Sequence, residues 1–293
     1  MLRVDGRPSK SLSCTRVETG VAIRDIRTFA EYEGCVDLQR EVWRFPEVDI
    51  IPAAHLVVIH LYGGTCLGAF DGERLVGFSF GFVGWEGGKT SHHSHMLAVV
   101  PSYRDRGVGE ALKWVQRERV LAQGMDLVNW TFDPLQAPNA NFNVNRLGAV
   151  ARRYFVNIYG ESTSPLHGGL PTDRLEAEWW IRSSRVQAAR EKRRTPLAGS
   201  ENLPRANRGT EMGPFLRCED DLALDLDAEA VRIEIPARIT PMMAEDRARA
   251  LDWRLKTRAL FQAYFERGYG VVDFLRVEGR CYYVLSRALE GLC

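Results

Sequence analysis

The chain lacks the features that mark exported and membrane-spanning proteins. Its first twenty residues are polar and contain no apolar stretch, so they do not have the pattern of a secretory signal. Its longest apolar stretch, residues 55–62, is interrupted by His60 and is far shorter than the roughly 20 residues that a membrane-spanning helix needs. We therefore expect a cytoplasmic protein without a membrane partner.

The sequence also lacks a large net charge and closely spaced cysteines. Lys and Arg total 39 against 38 Asp and Glu, a formal net charge of +1, which gives no overall field favouring nucleic acid or anionic lipid. The six cysteines are scattered, without a CxxC pair or a metal-type spacing, as is typical of reduced intracellular thiols. Because the charges nearly balance, we expect no nucleic-acid partner.

What the sequence has is the composition of a folded, water-soluble protein, with 45% hydrophobic and 26% charged residues. Strand and helix patterns intermingle along residues 21–190, which predicts a mixed α/β sheet rather than a sandwich or a bundle. Residues 191–216 are rich in Pro, Gly and basic side chains, as linkers are. We expect a flexible N-terminus over residues 1–20 and a smaller α/β domain over residues 217–293.

The most informative stretch runs from Leu97 to Leu112, where an apolar strand leads into a loop and then a helix. Glycines lie at the helix entrance, where the backbone must approach something closely. Free N–H groups at a helix start suit phosphate oxygens. Neither G-x-G-x-x-G nor G-x-x-x-x-G-K-[ST] is present here, which excludes a dinucleotide-binding fold and a P-loop by motif.

This stretch resembles the acyl-coenzyme A (acyl-CoA) loop of the GNAT N-acyltransferase superfamily, whose pattern is (Gln/Arg)-x-x-Gly-x-(Gly/Ala) after a Leu-Ala-Val strand. Arg104, Gly107 and Gly109 match that pattern in register. The order of elements over residues 20–185 also fits, and Arg-Leu-Gly at 146–148 looks like the family's second motif. The resemblance implies a mixed, mostly antiparallel sheet flanked by helices.

The order of elements in the C-terminal segment, residues 217–293, resembles part of the first domain. This segment has the order strand, helix, Gly, strand, which is similar to the order around residues 126–155. We therefore expect the smaller C-terminal α/β unit to be a degenerate partial GNAT repeat.

The resemblance also implies where an acyl-CoA would bind. Pantetheine would pair with the main chain of Leu97 and Val99 as an added half-strand. Pyrophosphate would lie on the loop amides, contributed by Arg104, Asp105, Arg106, Gly107, Val108 and Gly109. Asn139 or Asn141 would contact pantetheine, with a purely loop-forming role as the equal alternative. The expected co-substrate is acetyl-CoA or another acyl-CoA, such as succinyl-CoA.

The chemistry then needs a base, because an amine with a pKa near that of lysine is almost wholly protonated at pH 7. His93 and His95 alternate with Leu97 along the predicted strand, so all three are expected on one face. His93 falls where many GNAT enzymes carry a Glu base, and histidine suits the role. We expect at least one to act, with His95 favoured as the nearer to the expected thioester; the alternative is that both only satisfy hydrogen bonds.

The proton donor for the leaving thiolate is less clear from the sequence. The family often carries a Tyr shortly before the second motif's Gly, but Phe142 and Val144 stand in that neighbourhood. Tyr154 or Tyr159 from the following strand is the expected substitute. The other alternative is that the thiolate leaves unassisted, given its pKa near 8.5.

Two other chemistries fit the residue types less well. Zinc binding by His92, His93 and His95 lacks an acidic or cysteine partner nearby in the sequence, so we expect no metal. The G-x-S-x-G match at residues 77–81 lies within a hairpin strand that no helix follows, so it is interpreted as accidental.

The sequence therefore predicts an N-acyltransferase that transfers an acetyl or succinyl group to a small-molecule amine, such as an amino acid, by direct attack in a ternary complex. The whole-chain pattern is also similar to GNAT relatives that succinylate amino acids alongside N-acylamino acid racemases. The alternatives are a non-catalytic acyl-CoA sensor whose tail fills the acceptor cleft and, more distantly, a zinc-dependent hydrolase. A homodimer remains open.

Overall fold

In a computed structural model, the described residues are 15–16, 20–160 and 168–290. Their contacts divide the chain into two compact units, Met1–Asn129 and Trp130–Cys293. The domain boundaries expected from composition, at residues 190 and 216, stay a prediction. Within the described part of the chain, none of the helices is both long and apolar enough to cross a membrane.

The first unit is built on a sheet of long, mostly antiparallel strands. Its elements are β1 (Thr15–Arg16), β2 (Ala22–Asp25), α1 (Phe29–Trp43), α2 (Ala53–Leu61), β3 (Thr65–Asp71), β4 (Arg74–Glu86), β5 (Lys89–Val99), α3 (Val108–Ala122) and the start of β6 (Leu127–Phe132). The strands lie in sequential order, and among the described strands of this unit only β5 and β6 are parallel. The prediction of a mixed, mostly antiparallel sheet with flanking helices is confirmed.

The Asp71-Gly72 pair between two apolar segments predicts a hairpin turn, and the hairpin of β3 and β4 forms there. Asp71 pairs with Arg74, so the two central residues of the turn are Gly72 and Glu73 rather than Asp71 and Gly72. Gly72 has a φ of 59°, the conformation that two-residue hairpin turns require and that glycine adopts without strain.

A β-bulge at His95 changes which side chains of β5 share a face. Phe80 of β4 pairs with Met96, whereas the next residue, Gly81, pairs with Ser94, so His95 has no partner in register. One extra residue reverses the alternation of faces along a strand. The expectation that Leu97 shares the face of both histidines is therefore wrong.

The side chains of Leu97 and Val99 face α3 instead. A Cβ added at Gly109, in the first turn of α3, would lie 3.9 Å from Leu97 Cδ2 and 3.8 Å from Val99 Cγ2. The rings of His93 and His95 lie near the phenylalanines of β4. The bulge thus places the two histidine rings on one face of the sheet and the side chains of Leu97 and Val99 on the other.

Gly81 shows how closely β4, β5 and α3 pack. A Cβ at this position would lie 2.4 Å from His92 Nε2 and 2.6 Å from the His93 carbonyl oxygen. We expect Gly81→Ala to lower the free energy of unfolding by roughly 1–3 kcal/mol, because the backbone must shift to admit the methyl group. Urea denaturation measures this loss.

Gly84→Ala is the matched control on the same strand. Its Cβ would meet the Ser91 hydroxyl at 3.4 Å, an ordinary contact, so the variant is expected to unfold near the wild-type midpoint. Equal losses in the two variants would contradict the packing described.

The second unit carries the remaining described strands and α-helices, together with a π-helical turn. They are α4 (Ala137–Ala140), a π-helical turn (Asn141–Arg146), β7 (Tyr154–Phe155), β8 (Arg174–Trp180), α5 (Ser184–Arg190), β9 (Gly209–Met212), β10 (Phe215–Cys218), β11 (Ala230–Ile235), α6 (Ile239–Glu245), α7 (Arg247–Glu266), β12 (Gly270–Val277) and β13 (Arg280–Ser286). β13 lies between β11 and β12 in an antiparallel sheet. The extra C-terminal α/β unit predicted from the tail is present, and its origin as a partial repeat stays a prediction.

Part of the segment 191–216 is attached to β11. The Ala206 N–H donates to the Arg232 carbonyl oxygen at 2.8 Å. The buried Asn207 side chain donates to the Glu234 carbonyl oxygen at 3.0 Å and accepts from the Glu234 N–H at 2.7 Å. Composition indicates a solvated linker here, whereas these hydrogen bonds fasten its middle to the second unit.

Candidate functional site

The loop between β5 and α3 presents backbone N–H groups at a helix start. Asp105 and Gly107 are in the left-handed region, with φ of 59° and 78°, and Gly107 is the N-cap of α3. The first helical bond runs from the Ala111 N–H to the Gly107 carbonyl oxygen. In the described part of the chain, the amides of residues 105–109 donate no hydrogen bond. These donors, at the positive end of the helix dipole, suit an anion.

The side chains of this loop leave its backbone open to solvent. Residues 104–107 are exposed, and a Cβ added at Gly107 would meet nothing within 4 Å. Arg104 Nε donates to the Val99 carbonyl oxygen at 3.2 Å, which ties the loop to the end of β5. The Arg106 guanidinium lies 5.3 Å from the centre of the Tyr103 ring. Two arginines against one Asp105 give the loop an excess of positive charge.

The second half of β5 has an open edge. β6 pairs with β5 only at His92 and His93, whereas β4 pairs along the strand. The Val100 N–H bonds to the Val76 carbonyl oxygen of the β4 side. Because main-chain groups alternate in direction, those of Leu97 and Val99 point away from β4. Among the described residues of the first unit, no strand pairs with Leu97 on that side, which leaves an edge that an extended ligand can join.

The rings of His93 and His95 lie together beside Phe82. The ring centres of the two histidines are 5.9 Å apart, and those of Phe82 and His93 are 5.1 Å apart. Removal from water lowers the pKa of each histidine below its ordinary value of 6.5, and the neighbouring His93 lowers the pKa of His95 further. Both rings are therefore neutral at pH 7, the form that accepts a proton.

His93 also has polar partners that the sequence analysis missed. Its Nδ1 lies 2.9 Å from Oδ1 of Asn129, the residue opposite it on β6. The Asn129 Nδ2 in turn donates to Glu86 Oε2 at 3.3 Å. Only the parallel register of β5 and β6 reveals this contact, and that register is not readable from local sequence.

His92 points to the opposite side, into a buried polar cluster against α3. Its Nε2 lies 3.0 Å from the Thr65 hydroxyl and 3.4 Å from Gln116 Nε2. The Lys113 amine donates to the Ser94 hydroxyl and to Gln116 Oε1, both at 2.9 Å. Burial lowers the pKa of His92 to about 3 and that of Lys113 well below its ordinary value.

The three histidines therefore do not converge on one point, as a shared zinc would require. Within the ranges 20–160 and 168–290, no group of three or more His, Cys, Asp or Glu side chains is placed to hold a metal ion.

Buried, neutral His92 makes the stability depend on pH. The unfolded chain binds the proton near pH 6.5 and the folded protein only near pH 3. The contribution is therefore complete above pH 6.5 and is lost as the pH falls towards 3. Between pH 6.5 and 4.5 we expect His92 alone to remove about 2–3 kcal/mol from the free energy of unfolding. Urea denaturation of His92→Gln at both pH values should show a smaller loss than the wild type.

The exposed His55 provides the control for that series. His55→Gln is expected to keep the wild-type dependence on pH. If His92→Gln and His55→Gln lose equal stability on acidification, the burial of His92 is not the cause of the pH-dependent loss of stability.

Tyr154, the expected proton donor, is engaged within the second unit. Its hydroxyl donates to Asp173 Oδ2 at 2.7 Å, and Asp173 also accepts from Arg258 Nε at 2.8 Å. Burial, together with the charge of Asp173, raises the pKa of Tyr154 far above its ordinary value. The acid role of Tyr154 stays a prediction, and this geometry disfavours it because the phenol holds its proton tightly.

The asparagines before the second motif lie on a broken helix rather than in an open loop. Asn139 lies on the exposed side of α4. Asn141 is the first residue of the π-helical turn, and its Oδ1 accepts a hydrogen bond from Asn145 Nδ2 at 2.9 Å. π-Helical turns are frequent at functional sites. A pantetheine contact from Asn139 or Asn141 stays a prediction.

A donor loop at a helix start, beside an open strand edge, is the arrangement that the resemblance to acyl-CoA N-acyltransferases implies. Residues 30–148 match the model of the Acetyltransferase (GNAT) family. The match includes β5, the loop and α3, so the resemblance inferred from this stretch is confirmed. This part of the chain therefore matches the GNAT acetyltransferase family.

Solved structures of acetyltransferases align with about half of the chain. A protein of Desulfovibrio desulfuricans assigned to the GNAT family is 19% identical, with a TM-score of 0.45, 55% of this chain and 99% of that chain covered. The ribosomal-protein-S18-alanine N-acetyltransferase of Escherichia coli is 14% identical, with a TM-score of 0.45 and coverages of 55% and 94%. The YncA protein of Salmonella typhimurium, solved with its cofactor acetyl-CoA, is 12% identical with the same TM-score and coverages of 55% and 94%. No curated protein matches the chain significantly.

Proposed function

We propose that the chain is an acyl-CoA-dependent N-acyltransferase that transfers an acetyl or succinyl group to the amine of a small molecule, such as an amino acid. The observation that carries this proposal is the set of amides at residues 105–109 without an acceptor in the described chain, of which residues 105–107 are exposed. This set lies beside the open edge of β5, inside the region that matches the GNAT acetyltransferase family.

The residues present fit an acyl-CoA. The amides of residues 105–109 suit its diphosphate, because they have no acceptor within the described chain and lie beside Arg104 and Arg106. The outward main-chain groups of Leu97 and the N–H of Val99 suit the amides of pantetheine, while the Val99 carbonyl oxygen already accepts from Arg104. Gly107 leaves the approach to the loop clear.

The reaction is a direct attack of the amine on the thioester in a ternary complex. A neutral imidazole of His93 or His95 takes a proton from the acceptor ammonium group, and the nitrogen lone pair then attacks the thioester carbonyl carbon. A C–N bond forms and the C–S bond breaks, so the electron pair of that bond leaves on the CoA sulfur. The attacking nitrogen loses its second proton to that thiolate or to water, which leaves the neutral amide and free CoA. The lowered pKa of both histidines keeps this base neutral at pH 7.

The experiment is a measurement of thiol release from acetyl-CoA and succinyl-CoA across a panel of amines and amino acids. We expect release that requires both an acyl-CoA and an amine, together with a product whose mass is that of the acylated amine. Silence across the panel, with no acetyl-CoA retained by the protein in calorimetry, contradicts the proposal.

A non-catalytic acyl-CoA sensor is the second candidate, favoured by the engagement of the Tyr154 hydroxyl with Asp173. The sensor binds acetyl-CoA with no thiol release at any amine concentration. The same panel therefore separates the two functions, since only the transferase couples binding to release.

A further inference from the structure

Three residues of the first unit form a continuous chain of polar contacts. Glu86 lies at the end of β4, Asn129 on β6 and His93 on β5 between them. The Asn129 side chain is buried, with 6% of its surface exposed, and it contacts both neighbours.

The order of donors and acceptors along this chain fixes the proton on His93. A glutamate carboxylate accepts hydrogen bonds and, when ionised, donates none, so the Asn129 group that faces Glu86 is the donating Nδ2. The Asn129 atom that faces His93 is then the accepting Oδ1. His93 Nδ1 must carry the hydrogen, which leaves the lone pair of the neutral ring on Nε2.

We propose that Glu86 and Asn129 are positioning residues that hold His93 as its Nδ1–H tautomer, so that His93 Nε2 is the atom that takes the proton from the acceptor amine. The second half of this statement rests on the proposed function, whereas the tautomer does not. The proposal selects His93 over His95 as the base.

The same chain supports the charge that His93 gains in the reaction. When Nε2 takes a proton, the Nδ1–H to Asn129 Oδ1 bond becomes a charge-assisted hydrogen bond, which is roughly twice as strong as a neutral one. The carboxylate of Glu86 favours the positive ring from beyond Asn129. The ionisable groups around His93 are His92 and His95 on its own strand, Glu86 on β4 and Lys113 on α3, and the charge of Lys113 opposes protonation.

The tautomer is measured directly by long-range ¹H–¹⁵N NMR on protein labelled with ¹⁵N-histidine. We expect the Nδ1–H form for His93 in the wild type. In Asn129→Leu we expect the Nε2–H form to appear, because nothing then accepts from Nδ1 through this contact. The proposal is overturned if His93 has the Nε2–H form in the wild type, or if its tautomer is unchanged in Asn129→Leu. This outcome does not depend on whether the protein has activity.

Kinetics provides the second arm, with Asn129→Asp as the conservative variant. Asn129→Leu is expected to lower kcat at least about tenfold without changing the KM for acetyl-CoA, because a misplaced tautomer presents no lone pair at Nε2. Asn129→Asp retains an acceptor for Nδ1 and adds a negative charge. It should restore the Nδ1–H form and move the acid limb of the pH–rate profile to higher pH.

The control is Val128→Ala. Val128 is a buried neighbour on β6, and its truncation is expected to lower the stability of the protein without changing the contacts among Glu86, Asn129 and His93. If Val128→Ala shifts the pH–rate profile as Asn129→Asp does, the role of Asn129 is only structural. Should Asn129→Leu fail to fold, Glu86→Gln and Asn129→Asp still test the tautomer. If NMR confirms the Nδ1–H tautomer of His93 but no amine is acylated, the transferase function is rejected and the positioning of His93 by Asn129 and Glu86 stands.

Discussion

Replacing both His93 and His95 by Ala is expected to lower kcat/KM for the acceptor amine by about 10²–10⁴-fold, the range that a positioned general base contributes. The Kd for acetyl-CoA should stay within about twofold, since neither ring belongs to the loop or to the main-chain edge. Thiol-release kinetics and calorimetry give the two numbers. His93→Ala should account for most of the loss.

The pH profile identifies the cause of that loss. The pKa of each histidine is lowered from 6.5, so the neutral, proton-accepting form dominates at pH 7 and the rate falls as the pH drops below that region. The double variant should lose this acid limb. The control His55→Ala, an exposed histidine of α2, should keep it. A double variant with an unaltered rate and pH profile removes both histidines from catalysis.

Gly107→Val is expected to weaken acetyl-CoA binding at least about tenfold, or about 1.4 kcal/mol of binding free energy. The added side chain points into open space at the loop, where the proposed diphosphate must approach the backbone. The substitution also strains the backbone, because a β-branched residue adopts a φ of 78° only with difficulty. Calorimetric titration with acetyl-CoA measures the first effect and thermal unfolding the second.

Gly124→Val separates these two effects. Gly124 follows the other end of α3, has a φ of 80° and likewise has nothing within 4 Å of an added Cβ. It carries the same backbone strain far along the helix from the loop, so we expect a similar loss of stability with acetyl-CoA affinity retained. A folded Gly107→Val that binds acetyl-CoA as tightly as Gly124→Val contradicts the assignment of the loop.

The parts of the fold that the sequence predicts well are those set by neighbouring residues. The apolar spacing from Phe29 to Trp43, up to the break at Pro46, predicts a helix. Helix α1 occupies these residues, and a Thr28–Glu31 capping box stabilises its start. The loop after β5 is predicted because its glycines carry a local backbone requirement, and Gly107 indeed has positive φ.

The parts that the sequence predicts poorly depend on how distant strands pair. The bulge at His95 arises from the register of β4 against β5, and nothing within residues 89–99 signals it. Simple alternation therefore assigns Leu97 to the wrong face. The contact of His93 with Asn129 has the same origin, since it joins residues on strands that only the register brings together.

For the segment 191–216, composition leaves the backbone contacts undetermined. Its Pro, Gly and Arg content describes how the chain interacts with water, but not whether its backbone has hydrogen-bonding partners. Residues Ala206 and Asn207 find those partners on β11, which lies more than twenty positions further along the chain.

The measurement that tests the central claim most directly is a ¹H–¹⁵N correlation spectrum of the labelled protein during titration with acetyl-CoA. The account predicts that the amides of residues 105–109 shift strongly and saturate together, with Leu97 and Val99 following as the strand edge gains a partner. If acetyl-CoA binds while those loop amides stay unshifted, the diphosphate lies elsewhere and the assignment of this loop is wrong.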